Sequence, residues 1–348
     1  MITASAPTKV IICGEHAVVY GGNAIAAPIS FRNVVVLGKR AGKPKFVFCQ
    51  SSTPDWHAEL DAQGNVSGTP LYQGFMRMVQ HIFHECGTSV SEQGQLHAEL
   101  KFSGAPKGTG NSASIAAALA VALYAFLGAK PSRDQLFNTV QIAEKVAHGN
   151  PSGVDARTVI SDCAQRFHKE WDSQGNVKFF FEDVDLKLPR GSELLIIDSK
   201  RGDEKPQTTA ELVAAVAKYY FNKGAAELTA EERAKICAVF NPVIARIESQ
   251  LHENGNAKLL GEYFNENHEL LRQAGVSSKG IEEARKIALE NSAYGAKLTG
   301  AGGVGGAVIA LVAKEKIPVV KAALEKSGFK SFQSEFSDRG ASVDRIEE

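Results

Sequence analysis

The chain has 348 residues, 44% of them apolar, enough for sizeable cores; at about 150 residues per domain, two domains are expected. Lysine plus arginine and aspartate plus glutamate both number 39, so the formal charge is zero, and neither nucleic acid nor a membrane is expected as a partner. The five cysteines (Cys13, Cys49, Cys86, Cys163 and Cys237) are scattered without a C-x-x-C pair, which argues against a disulfide framework or a zinc cluster and reads as buried thiols in a reducing compartment.

The N-terminal stretch MITASAPTKVIIC lacks a basic segment followed by a long apolar one, so no signal peptide is expected. No apolar run reaches about 18 residues, so no membrane span is expected and a cytoplasmic protein is the default. Strands are predicted at 8–13, 33–38 and 45–48, from their β-branched and aromatic content. Residues 112–127, rich in Ala and Leu, are too long for a strand and predict a buried helix. Ser132 and Gln135 have capping-box spacing and open a second helix. Leu136, Val140, Ala143 and Ala147 form its apolar stripe, and Gly149 is its predicted stop.

The segment 185–192, DVDLKLPRGSE in its wider context, is polar with Pro and Gly, and marks the expected boundary between domains 1–188 and 189–348. Beyond it a strand is predicted at 193–199, then helices at 208–221, 228–251, 256–273 and 279–291. A strand at 307–313, a helix after Pro318 ending at Gly328, and two short strands complete the chain. Strands and helices mixed in both halves predict an α+β fold. Gly300 to Gly305 satisfy G-x-G-x-x-G, the pattern of a dinucleotide-binding turn. They lead into the β-branched run AVIALVA rather than an amphipathic helix, so they are read as a loop between a helix and a strand.

Three segments carry candidate chemistry. In SAPTKVIICGEHAVVYGG a strand delivers Lys9, then Gly14-Glu15-His16 interrupts it; Lys9 and Glu15 are either site residues or surface residues, or a mutual ion pair. SGAPKGTGNSAS, 103–114, is Gly-rich and enters the 112–127 helix. Backbone N–H groups at a helix N-terminus suit phosphate, and Lys107 adds charge; the alternative is an ordinary loop capped by Asn111 or Ser112. In EKVAHGNPSGVDARTV, Asp155 falls in a first helical turn. It is either a residue that complements the helix dipole or an acid facing a cleft as base or metal ligand.

Together these segments resemble the GHMP kinases, the galactose, homoserine, mevalonate and phosphomevalonate kinase family. The similarity is closest to its mevalonate branch. SAPTKVIICGEHAVVYG is similar to APGKVILxGEHAVVxG, with Thr8 in place of Gly, whereas galactose kinases carry GEHTDY. HGNPSGVD resembles the segment around the family's catalytic aspartate, and Glu144 precedes Asp155 by the spacing of its magnesium-binding glutamate. NENHELLRQAGVS and KLTGAGGVGG resemble two C-terminal motifs. The phosphate loop departs from P-x-G-x-G-L-G-S-S-A: aligning Ser112-Ala113 with the final Ser-Ala puts Asn111 at the first serine, and a register through Pro106 and Gly108 is also open.

The resemblance implies a ribosomal-S5-domain-2-like N-terminal domain, a ferredoxin-like C-terminal domain and a site in the cleft between them. It implies transfer of the γ-phosphoryl of ATP to the primary hydroxyl of mevalonate, a step of isoprenoid biosynthesis. Other small alcohols, or a non-catalytic sensing role, are the alternatives. Asp155 would take or orient the hydroxyl proton beside Lys9. Lys107, Gly108, Thr109, Gly110, Asn111 and Ser112 would hold the phosphates, and Ser112 with Glu144 would hold Mg2+. Glu15, His16, Thr209 (or adjacent Thr208) and Ala301 would line the substrate side. A homodimer is expected on the same ground.

Overall fold

The computed structural model describes residues 1–148, 151–201, 205 and 207–347. Thirteen strands are found among them: β1 Ile2–Cys13, β2 Ala24–Arg40, β3 Lys45–Gln50, β4 Thr53–Asp61, β5 Val66–Gly68, β6 Gln95–Lys101, β7 Ala164–Trp171, β8 Val177–Val184, β9 Ser192–Asp198, β10 Ala293–Thr299, β11 Ala307–Ala313, β12 Lys330–Gln333 and β13 Ser342–Ile346. Ten α-helices accompany them: α1 Pro70–Glu85, α2 Val90–Gln93, α3 Asn111–Phe126, α4 Arg133–His148, α5 Val154–Ile160, α6 Thr209–Phe221, α7 Ala230–Glu248, α8 Ala257–Gln273, α9 Lys279–Glu290 and α10 Ile317–Lys326. Ala17–Tyr20 form one 3-10 turn.

A nine-stranded sheet runs β13-β1-β2-β6-β3-β4-β5, with β7 on the first residues of β2 and β8 on β7. The long β2 serves two neighbours in turn, β7 through Ala24–Ala26 and β6 through Val34–Arg40. Helix α3 packs across β1 and β2 and is buried almost all round. Its Ala content makes that possible, because methyl side chains let backbones approach closely and cost no side-chain entropy.

The second sheet is antiparallel, in the order β10-β11-β9-β12. Counted from its own first strand the order is 2-3-1-4, with helices between the first and second and between the third and fourth strands. This is the ferredoxin-like β-α-β-β-α-β arrangement. Its two inner strands, β9 and β11, are rich in Val, Ile and Leu; β11 is buried along its whole length, as a central strand covered on both faces must be. The core does not stop at the sheet: Val10, Ile12 and Ile25 of the first sheet belong to the same apolar cluster as Leu195, Ile197 and Val308. Finally, β13 pairs antiparallel with β1 and returns the chain end to the first sheet.

The predicted capping box is present: Ser132 Oγ accepts from the Gln135 N–H (3.2 Å) and Gln135 Oε1 from the Ser132 N–H (2.9 Å). Leu136, Val140 and Ala143 are buried as the stripe requires. Gly149 lies outside the described residues. Three corrections follow. The Gly300–Gly306 loop joins two antiparallel strands, β10 and β11, not a helix to a strand. AYGAKLT hides its strand character because its charged residue, Lys297, is buried. The helix read at 112–127 spans Asn111–Phe126, beginning and ending one residue earlier, with Gly110 rather than Asn111 or Ser112 as the cap. Of the cysteines only Cys13 and Cys237 are fully buried; Cys49, Cys86 and Cys163 are half-buried, and all five are free. Among the described residues no helix is long and apolar enough to cross a membrane.

Candidate active site

A cleft of about 920 Å³ opens where β1, the N-terminus of α3, α5, α6 and the Gly300–Gly306 loop meet. Lys9 lies at its floor, 1% exposed. A buried ammonium is costly unless its protons are taken up. Lys9 Nζ ion-pairs with Asp155 Oδ1 at 3.0 Å and donates to the Gly108 carbonyl at 3.3 Å. Asp155 is on the first turn of α5, after Gly153 with φ 89°, and its side chain is 33% exposed to the cleft. The reading of Lys9 and Glu15 as a mutual pair or as surface residues is therefore corrected: each is buried with a different partner. Glu15 pairs with Lys297, and neither side chain has solvent exposure.

The phosphate-loop candidate is anchored at several points. The Lys9 N–H donates to the Thr109 carbonyl at 2.8 Å. Asn111 Nδ2 donates to the carbonyls of Ala105 and Pro106, each at 3.0 Å. Asn33 Nδ2 donates to Ser114 Oγ (3.0 Å), which in turn donates to the Ala6 carbonyl (2.8 Å). Asn111 is thus a loop anchor, and Ser112 is the hydroxyl that faces the cleft at the start of α3. Thr109 is set apart from the other predicted phosphate residues. Its side chain is fully buried and its hydroxyl donates to the Pro106 carbonyl at 2.7 Å, so it can offer phosphate only its backbone. Lys107 lines the cleft and donates to the Gln207 carbonyl at 3.2 Å; partial burial lowers its pKa.

Glycine is required at two contacts. Gly110 has φ 72°, and a Cβ there would lie 2.8 Å from Lys9 Cγ. Gly300 has φ 76°, and its Cβ would lie 2.7 Å from the Gly108 carbonyl oxygen. The two glycine loops therefore face each other at backbone distance across the cleft. Thr299 fixes this approach: its hydroxyl accepts from the Ile11 N–H at 2.8 Å and donates to the Ile11 carbonyl at 3.0 Å.

Glu15, His16 and Ala301 line the same cleft. His16 has φ 59° and its Nε2 is 2.9 Å from the Ala301 carbonyl, which can only accept, so Nε2 carries the proton. Burial pushes the imidazole pKa down to about 4, so the ring is neutral near pH 7. Its Nδ1 is then a buried acceptor with no partner among the described residues, as is Glu15 Oε2. Burial raises the pKa of Glu15, opposed by Lys297. Of the two threonine candidates, Thr208 caps α6 in a capping box with Glu211, and Thr209 is the one lining the cleft. Glu144, 2% exposed, also lines the cleft from α4.

Sequence reading missed Lys297, Asn33, Lys169, Trp171 and Arg233. Lys297 had a visible signal, a lone charge in an apolar stretch before the glycine loop. The other four became cleft or anchor residues only through chain crossings.

The site is built of a buried lysine paired with a cleft-facing aspartate, a glycine loop on a helix N-terminus and a second glycine loop opposite, which defines a small-molecule phosphotransferase. The family models agree. The description "GHMP kinases N terminal domain" matches residues 75–162 and "GHMP kinases C terminal" residues 234–330. A mevalonate kinase from Aeropyrum pernix is 30% identical, over 99% of this chain and 98% of that relative. One from Pyrococcus furiosus is 29% identical over 99% of both. The chain belongs to the GHMP kinases. Among solved structures, Methanococcus jannaschii mevalonate kinase superposes with TM-score 0.75 at 22% identity, covering 96% of this chain and 98% of that one. Lactococcus lactis galactokinase does so with TM-score 0.76 at 18% identity, covering 98% and 94%. The fold is thus shared by kinases of different acceptors, and substrate must be argued from the site.

Proposed function

We propose that the protein transfers the γ-phosphoryl group of ATP to the primary hydroxyl of mevalonate, giving 5-phosphomevalonate for isoprenoid biosynthesis. The observation that carries this is the ion pair of buried Lys9 with the cleft-facing Asp155, in one cleft with the phosphate loop and Glu15, His16 and Ala301. The near-full-length likeness to curated mevalonate kinases supports this acceptor.

Phosphoryl transfer requires positioning and charge neutralisation more than covalent chemistry. The N–H groups at Gly110–Ser112 and the α3 dipole suit a triphosphate. Asp155 accepts or orients the proton of the attacking hydroxyl, and Lys9 steadies the charge on both oxygens. Neutral His16 and the free oxygen of Glu15 offer acceptors to the substrate's hydroxyls. Ser112 and Glu144 would hold magnesium, offering hard oxygen ligands on one cleft to a metal that keeps few protein ligands and takes the rest from phosphate and water. When bound, the metal neutralises charge on the phosphates.

The chain division at 188/189 belongs to the same reading: the first unit supplies the phosphate loop and Asp155, the second the Gly300 loop. A homodimer is part of it too, testable by sedimentation. The function is tested by incubating the protein with mevalonate and magnesium-ATP and identifying the product by phosphorus NMR. Turnover of galactose or phosphomevalonate, with none of mevalonate, rejects the assignment.

A further inference from the structure

Gln141 stands on α4 one turn before Glu144. The three-residue spacing puts the two side chains on one side of the helix, about 4.5 Å apart along its axis. Both line the cleft, Gln141 at 5% exposure and Glu144 at 2%. Helix α4 packs against α3, whose first turn carries Ser112, and against α5, whose first turn carries Asp155. Gln141 thus shares the cleft with both residues proposed to hold magnesium.

The fold makes no use of its polar end. The amide oxygen Oε1 of Gln141 is buried and has no hydrogen-bond partner among the described residues. Burying a polar atom unpaired costs about 1–3 kcal/mol, a cost that a methionine or leucine of similar volume would not carry. The two lysines on this part of the cleft donate elsewhere: Lys9 to Asp155 and the Gly108 carbonyl, Lys107 to the Gln207 carbonyl. The missing donor therefore comes with a ligand. The last torsion of a glutamine side chain is soft, so the amide can turn its oxygen toward a ligand without moving α4.

The chemistry of the ligands narrows the donor. The oxygens of an ionised triphosphate accept hydrogen bonds and have no proton to give to an amide oxygen. Magnesium keeps several of its waters when it binds, and each of those waters is a donor. We infer that Gln141 is a positioning residue for the metal: its amide oxygen accepts a hydrogen bond from a water on the magnesium that Ser112 and Glu144 would hold. The inference rests on that magnesium reading. It adds an uncharged acceptor, which orients the metal's water without placing a further negative charge beside the triphosphate.

The test is calorimetric titration of the full chain with ATP, once with saturating MgCl2 and once with EDTA. The ratio of the two Kd values is the metal's contribution to nucleotide binding. Gln141→Met should shrink that ratio about 10-fold, the lower end of what losing an outer-shell partner costs. Its Kd for ATP in EDTA should not move, and its urea midpoint without ligand should be equal to the parent's or higher, because an unpaired polar atom has been removed. Gln141→Leu stands in if Gln141→Met melts early. Gln141→Glu keeps an acceptor in place, so its ratio should stay at or above the parent's while repulsion weakens ATP in EDTA. Glu144→Gln is the control for the metal itself. A ratio lowered by Glu144→Gln and untouched by Gln141→Met overturns the inference and leaves the magnesium reading standing. Equal weakening of ATP with and without magnesium in Gln141→Met assigns the amide to the nucleotide and also overturns it. A lowered urea midpoint with an unchanged ratio makes Gln141 a structural residue. A ratio unchanged in every variant removes both readings.

Discussion

Glu15 and Lys297 form an ion pair with both side chains wholly excluded from solvent, joining the turn after β1 to the strand that leads into the Gly300 loop. Lys297 also donates to the Leu298 carbonyl at 2.8 Å, and among the described residues one oxygen of Glu15 has no partner. The pair therefore ties the two sheets at the cleft and leaves half of a carboxylate to meet a ligand.

Removing one member of such a pair strands the other in low dielectric. Lys297→Met should destabilise the fold by about 3–5 kcal/mol, the cost of an uncompensated buried charge. The double variant Glu15→Gln, Lys297→Met should recover much of that loss. Urea unfolding of the parent, Lys297→Met, Glu15→Gln and the double variant measures it. Single and double variants of equal stability would mean that the pair carries no buried charge.

His16 gives a pH dependence with a definite sign. Its pKa is lowered from 6.5 to about 4 by burial, so between those values the unfolded chain takes up a proton that the native state refuses. The stability held above pH 6.5 should be lost as pH falls toward 4, at about 1.4 kcal/mol per pH unit for this group. Imidazole proton shifts followed by NMR should show that His16 does not titrate between pH 5.5 and 8. A midpoint near 6.5 for His16 would contradict its burial against Ala301.

The phosphate loop separates two neighbours by role. Asn111→Ala removes the side chain that bridges to Ala105 and Pro106, so it should lower stability and raise the KM for ATP. Ser112→Ala should instead raise the magnesium concentration needed for half-maximal rate and lower kcat. Magnesium titrations of both variants decide the matter. The opposite pattern would place the metal-facing group at Asn111.

Much of this arrangement was legible in sequence because local chemistry and tertiary role coincided. The Ala-rich helix after Gly110, the Ser132–Gln135 box and the strand carrying Lys9 each follow from residues adjacent in the chain. The Lys9–Asp155 proximity came from family likeness, since no local rule places residues 146 positions apart. Strands β7 and β8, AQRFHKEW and VKFFFEDV, escaped because their charged residues blur the alternation: Lys169 is buried although its residue type reads as exposed. β10 escaped for the same reason at Lys297. Buried charges carry the wrong burial signal in sequence, which accounts for β7 and β10; α1, β4, β5 and β6 also went unread, and none of their described residues lines the cleft.

The most direct test of the account is the kinetics of Asp155→Asn. The substitution keeps the shape of the residue and its place on α5 but removes the charge that meets Lys9 at 3.0 Å. If Asp155 only complements the helix dipole, stability falls by less than about 1 kcal/mol and kcat is unchanged. If it accepts or orients the hydroxyl proton, the variant binds ATP and mevalonate while kcat falls by about 10² or more. Lys9→Met should also lower kcat, and the double variant should lose less than the two single losses combined, because the residues act as a unit. The account predicts the large kcat loss with binding intact; an Asp155→Asn enzyme turning over within a few-fold of the parent would contradict it.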